Sequence, residues 1–307
     1  MSQAAPDTSF DTAPEPAQEA APAKPERIEI PPEQYDWING FPLPPNAPVR
    51  PLHAFLSVLK LVTNKEDTRQ VFEIVQALSG SSSKKMFRQF TNSDYGRRVV
   101  TAPVRLEEIL GDRERLRAYP EGTLARAYLD FMEGENLTPE GLRSAAEEAG
   151  IDYDIYPEFK EYMRLFMHLQ VSHDLWHVLT GYGRDALGEL CNLVYTRHQT
   201  YNPGFRLIIA IGFLAQKLEQ PFQPISKALA EAKRNASAAD WVLAHDVEEL
   251  IVLPLAEARA RIGLAEPAVY NAVPAEIKQS LLKPKFKQTQ AERERAEREQ
   301  TALKSAA

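Results

Sequence analysis

The chain has 307 residues, enough for one large domain or two small ones, and its 44% hydrophobic and 26% charged residues suit a globular protein with a sizeable core. A net charge of -7 without any basic concentration excludes a nucleic-acid binder, because a phosphate backbone demands a basic face. Cys191 is the only cysteine, so no intramolecular disulfide can staple the fold.

Residues 1–10 hold neither a basic residue nor an apolar run, so they do not read as a secretory signal. Asp7, Asp11, Glu15 and Glu19 precede the first basic residues, Lys24 and Arg27, against the pattern of a mitochondrial transit peptide. A bacterial cytoplasmic protein is the expectation. Twelve of the 23 prolines fall before residue 52. Mixed with Ala and Glu, they leave too little apolar surface to offset ordering entropy, so 1–34 reads as disordered. Residues 35–51 carry Trp37, Ile38, Phe41 and Leu43 between prolines and read as an extended arm, with no hairpin expected.

From residue 52 to 265 the pattern predicts a single all-α domain. Leu52, Phe55, Val58, Leu59 and Val62 recur at three and four, as do Val71, Phe72, Ile74, Val75 and Leu78, with Gly80 as a cap. Further helices fit 84–91, 122–134, 157–180, 184–200, 204–217, 224–235 and 247–262. Thr138-Pro139 opens another that Gly150 closes. The run Leu207 to Ala215 is apolar on all sides, as a buried helix would be, and its nine residues are far short of the about 20 that span a bilayer. Residues 266–307 read as a polar tail.

Four of the six histidines lie between 168 and 198. Among them stands His173-Asp174-Leu175-Trp176-His177. On a helix His173 and His177 lie about 40° apart and Asp174 about 60° beyond, so all three share one arc. Imidazoles four apart are spaced to share one ion. The following Thr180-Gly181-Tyr182-Gly183 breaks the helix and allows a tight reversal. The returning antiparallel helix would bring Glu189 beside the pair. His173, Asp174, His177 and Glu189 are therefore the expected metal ligands. Two nitrogens with carboxylate oxygens suit zinc best, and iron or manganese also, since no thiolate selects among them. If Asp174 stands back, two His and one carboxylate leave open positions, the pattern of iron–oxygen sites.

His-Asp-x-x-His followed after eleven residues by Glu resembles, residue for residue, the metal motif of the ubiquinone (coenzyme Q) biosynthesis family called Coq-four. The surrounding HDLWHVLTGYGRDALGE is similar too, and Glu248 to Arg261 (EELIVLPLAEARAR) resembles that family's C-terminal helix. The resemblance spans roughly 50–265. It implies an all-α fold, a bound divalent metal, an apolar tunnel for a polyprenyl tail, and a place in the membrane-proximal assembly that makes ubiquinone. The implied reaction replaces the carboxyl group on the ring's first carbon by hydroxyl.

The expectation is thus a metal-dependent oxidative decarboxylase of a polyprenylated ubiquinone precursor, with Arg184 as candidate for the substrate anion. It would lie peripherally on the inner face of the cell membrane with other ubiquinone biosynthesis proteins, a homodimer being left open. Two alternatives remain. One is a lipid-binding scaffold with a structural metal; the other is a histidine–aspartate phosphohydrolase drawing on His53 or His168 with Asp246. His245-Asp246 with Glu248 and Glu249 reads as a polar helix face, and His168, about 140° from His173, as a core residue.

Overall fold

The computed structural model describes residues 29–63, 68–102, 105–135, 137 and 156–281. The disordered reading of residues up to 28, the helix expected from Thr138 to Gly150, and the tail beyond 281 lie outside the described residues. The described fold is all-α apart from one small hairpin.

That hairpin corrects the expected extended arm. β1 (Asp36–Ile38) pairs antiparallel with β2 (Phe41–Leu43) through the two residues Asn39 and Gly40. Both take positive φ, 54° and 88°, the tight reversal that Asn-Gly favours. The Asn39 amide donates to Thr91 Oγ1 at 2.8 Å, and Ile38 and Leu43 enter the core. Prolines around the dipeptide hide the signal, yet Pro42 sits on a two-stranded edge where its missing N–H costs nothing.

Helices follow in order: α1 (Pro51–Thr63), α2 (Thr68–Leu78), α3 (Ser82–Asn92), α4 (Asp94–Thr101), α5 (Leu106–Gly111), α6 (Arg113–Ala118) and α7 (Leu124–Gly134). After a 3-10 turn come α8 (Lys160–Thr180), α9 (Ala186–Thr200), α10 (Gly204–Glu219) and α11 (Ile225–Ala238). The chain then forms α12 (Val247–Ile251), α13 (Leu255–Arg261), α14 (Ala268–Asn271) and α15 (Ala275–Ser280).

The helix expected over 247–262 is broken at Pro254, whose ring cannot continue the helix. The freed backbone pairs with the entry to α7 instead: Leu124 N–H donates to Leu253 O and Leu255 N–H to Gly122 O, each at 2.9 Å. The packed body also runs past residue 265, where the polar tail was expected to begin. Tyr270, Val273 and Leu281 are buried in one cluster with Leu187, Cys191 and Ile225.

α8 threads the largest core, flanked by α4, α5, α7 and α13, which is why it is apolar on most of its circumference. α9 packs beside it and against α10 and α11. Two apolar expectations come out differently. On α1 only Val58 of the expected stripe is buried, while Leu52, Phe55, Leu59 and Val62 are 48–71% exposed. α10 is half-buried rather than enclosed, with Ile208 inside and Leu214 exposed.

Candidate metal centre

His173 and His177 occupy successive turns near the C-terminal end of α8, with ring centroids 4.9 Å apart. The helix stops at Gly181, whose φ of +76° is the left-handed conformation that a Cβ disfavours. Arg259 on α13 donates from Nε to Leu179 O and from Nη2 to Val178 O, both at 2.9 Å, so two carbonyls of the last turn find partners. α9 begins on the Asp185 cap, whose carboxylate accepts from Leu187 and Gly188 N–H. A Cβ on Gly188 would stand 2.1 Å from Gly183 O, so the tightness of this reversal depends on a residue without one.

The reversal brings Glu189 to His177, Oε2 lying 3.4 Å from Nε2. One ligand atom from each of His173, His177 and Glu189 falls within 4.8 Å of the others, a spread that one ion can bridge. Asp174 is not in that group. Its buried carboxylate lies 3.6 Å from His173 Nδ1 but does not come within 4.8 Å of all the other donors.

His177 carries the plainest sign of what the cluster can hold. Its Nδ1 donates to Tyr182 O at 2.9 Å, and its Nε2 lies on the side of the ring that faces Glu189, 3.4 Å from Oε2. That Nε2 is buried and has no hydrogen-bond partner among the described residues. Leaving such an atom unsatisfied costs about 1–3 kcal/mol. A metal ion would take up the lone pair, and the carbonyl behind the ring is the usual support for a ligating histidine. The donor chemistry therefore fits a divalent metal. Phe131 stacks on the His177 ring at 5.7 Å and closes its other side.

The charges agree. Burial alone would lower the His173 pKa, but the Asp174 contact and the Glu189 charge outweigh it and hold it above the ordinary histidine value. Burial would raise Glu189, yet His177, His173 and Arg184 together keep its carboxyl below the ordinary range. The pocket thus holds a carboxylate between cationic or cation-accepting neighbours. Arg184 stands at the rim, Nε 3.9 Å from Glu189 and Nη1 3.6 Å from Glu135.

The residues named for a phosphohydrolase are engaged elsewhere. His53 contacts Glu73 at 2.7 Å, Asp246 pairs with Arg98, and His168 is buried against Phe90 and Tyr95. His245 contacts Asp240 at 3.3 Å, and Glu249 pairs with Arg261 at 2.9 Å, a solvated polar face. Two supporting residues escaped the sequence reading. Arg259 lay in a run taken for one helix. Tyr270 fell in the presumed polar tail, yet its hydroxyl accepts from Gly183 N–H at 2.9 Å and bonds the Asp185 carboxylate.

Residues 43–268 match the family model described as coenzyme Q (ubiquinone) biosynthesis protein Coq4. The chain is 28% identical to the mitochondrial ubiquinone biosynthesis protein COQ4 homolog of Danio rerio, over 60% of this chain and 65% of that protein. It is 25% identical to the corresponding Bos taurus protein, over 62% of this chain and 68% of that one. The match thus spans just under two thirds of the Danio rerio protein. A crystal structure of a candidate ubiquinone biosynthesis protein from Nostoc punctiforme aligns with a TM-score of 0.51 at 19% identity, over 69% of this chain and 97% of that one. At that identity the likeness is one of fold.

Proposed function

The chain belongs to the Coq4 family of coenzyme Q (ubiquinone) biosynthesis proteins, and we propose that in this pathway it is a metal-dependent enzyme acting on the polyprenylated aromatic head group. The observation that carries the proposal is the buried, unpartnered His177 Nε2 facing His173 and Glu189.

In this reading His173, His177 and Glu189 hold a divalent metal, zinc, iron or manganese, through two nitrogens and one oxygen. Such a metal, when bound, would supply a Lewis-acid centre. Asp174 holds the His173 ring at its angle, and the Tyr182 carbonyl does the same for His177. Phe131 keeps water from one face of His177. Arg184, loosely paired at 3.6 and 3.9 Å, turns its guanidinium to the carboxylate of the substrate ring, a geometry suited to two parallel hydrogen bonds. The step proposed is oxidative decarboxylation: the bond from the ring to the carboxyl breaks with release of carbon dioxide, and a carbon–oxygen bond forms with oxygen from water. Dioxygen as co-substrate takes the two electrons and two protons to become hydrogen peroxide.

No helix of the described residues is long and apolar enough to cross a membrane. The exposed apolar arc of α1 supports peripheral contact with a membrane surface that carries the prenylated substrate and the partner proteins of the pathway.

The test is a strain whose only copy carries Glu189→Gln. The amide is a poor ligand, so prenylated intermediates that keep the ring carboxyl should accumulate while ubiquinone falls. A defect spread over several intermediates would favour the scaffold reading. Normal ubiquinone with metal confirmed absent would sink the catalytic one.

A further inference from the structure

A second cleft opens beside the first half of α8, walled on the other side by α4 and α5, with a volume of about 370 Å³. That is the low end of ligand pockets, which run to roughly 1,000 Å³. Lys160, Met163, Arg164, Met167 and His168 face it from α8 at helical spacing, one stripe along the helix. It shares no lining residue with the His173–His177–Glu189 cluster.

Among the side chains lining this cleft, His168 Nδ1 and Glu107 Oε1 are buried with no hydrogen-bond partner among the described residues, and Arg164 has no counter-charge. His168 is 3% exposed, and its Nδ1 finds no hydrogen-bond partner among the described residues. Burial pushes its pKa down to about 4, so the ring is neutral near pH 7 and offers one N–H. One turn earlier, Arg164 Nη1 donates to Val100 O and Ala102 O, each at 2.8 Å, which fixes the half-buried guanidinium in place. Among the described residues no carboxylate lies within 4.0 Å of it.

The other cations around the cleft have counter-charges among the described residues. Arg98 pairs with Asp246, Arg105 lies 3.6 Å from Glu107, and Lys160 lies 3.9 Å from Glu161. Glu248 stands exposed at the mouth. Arg164 is the cation left over. Between these groups and α5 the walls are apolar: Met163 and Met167 face Val99, Leu106 and Ile109. Methionines adapt to flexible chains better than branched side chains do.

We propose that this cleft binds a small monocarboxylate with a flexible apolar body, its carboxylate on Arg164 and the His168 N–H and its chain between the methionines and α5. The site does not rest on the metal reading.

Titration calorimetry of the full chain tests it with octanoate, octan-1-ol and octylammonium. Octanoate should bind saturably at one site, octan-1-ol at least about tenfold more weakly, as loss of a charge-assisted hydrogen bond implies, and octylammonium not at all. Arg164→Gln should weaken octanoate about tenfold or more. Arg164 also steadies the end of α4, so a second variant is needed. Val99→Phe fills the cleft without touching a polar group and should abolish binding. His177→Ala should leave octanoate binding unchanged, which separates this site from the metal cluster. The proposal is overturned if the wild-type chain shows no saturable octanoate binding, if octan-1-ol binds equally well, or if both cleft variants bind as wild type.

Discussion

The donors of the metal cluster contribute unequally, and substitution should show it. His177→Ala removes the one nitrogen that is buried and otherwise unpartnered. Stoichiometric metal should be lost while circular dichroism stays helical, because the ring packs mainly on Phe131 and its Nδ1 holds a single carbonyl. Asp174→Asn should be milder, weakening metal about 10- to 100-fold, the usual cost of a group that orients a ligand. Equal losses in the two variants would make Asp174 a ligand. Proton linkage gives a second check. His173 has a raised pKa, so in the metal-free fold its contribution to stability is fully present below the unfolded value of about 6.5 and is lost as pH rises through the folded value. Glu189, with a lowered pKa, contributes above the ordinary carboxylate value and loses that contribution as pH falls through its depressed one. Metal needs the His173 nitrogen bare, so affinity should begin to fall at a higher pH than for an unperturbed histidine. Calorimetry near pH 6.5 in buffers of different ionisation heat should detect about one proton released per metal bound. No release at that pH would contradict the raised value.

At the scale of elements, the turn joining α8 to α9 decides whether Glu189 reaches the histidines. Tyr270 holds that turn from another part of the chain, through Gly183 N–H and the Asp185 carboxylate. Tyr270→Phe should cost about 1–3 kcal/mol in chemical denaturation, since a buried hydrogen-bonded network loses its centre. It should also weaken metal binding although it removes no ligand, and unchanged metal affinity would show that the turn holds its shape unaided. α1 poses the opposite case. Its inner arc, with Ala54, Ser57 and Val58, meets the body, while Leu52, Phe55, Leu56 and Leu59 face outward. Replacing those four by Ser should barely change stability, because they are already 48–71% exposed. If this face meets lipid, the same variant should no longer sediment with anionic vesicles. Sedimentation equal to wild type would place the contact elsewhere.

At the scale of the whole molecule, the folded body extends beyond the point where the sequence turns polar. Tyr270, Val273 and Leu281 fill the cluster that backs α9 and α11, and Glu231 accepts from Val269 N–H at 2.9 Å. A chain ended at 265 would expose that cluster. Burying one such side chain contributes about 1.5–3 kcal/mol, so the loss over the three should exceed about 4 kcal/mol. Truncation at 265 should therefore give a protein with a much lower denaturation midpoint, and an unchanged midpoint would show that the cluster holds without these residues.

The sequence by itself determined the all-α fold, because 3.6-residue periodicity needs no knowledge of partners, and it determined the histidine pair, because i and i+4 share a face wherever a helix forms. It also carried the reversal, since Gly181 and Gly183 mark a turn in any context, and with the reversal the approach of Glu189. It could not separate Asp174 from the cluster: helical angles place it in the same arc, and only the packed side chains leave its carboxylate against His173 and outside the group of converging donors. Nor could it tell the exposed stripe of α1 from a buried one, since an apolar face looks the same in sequence whether or not a neighbour covers it. Arg259 and Tyr270 were invisible for the same reason. They act on residues 80 to 87 positions away, and contacts at that separation belong to the tertiary structure, which alone decides what stands beside what.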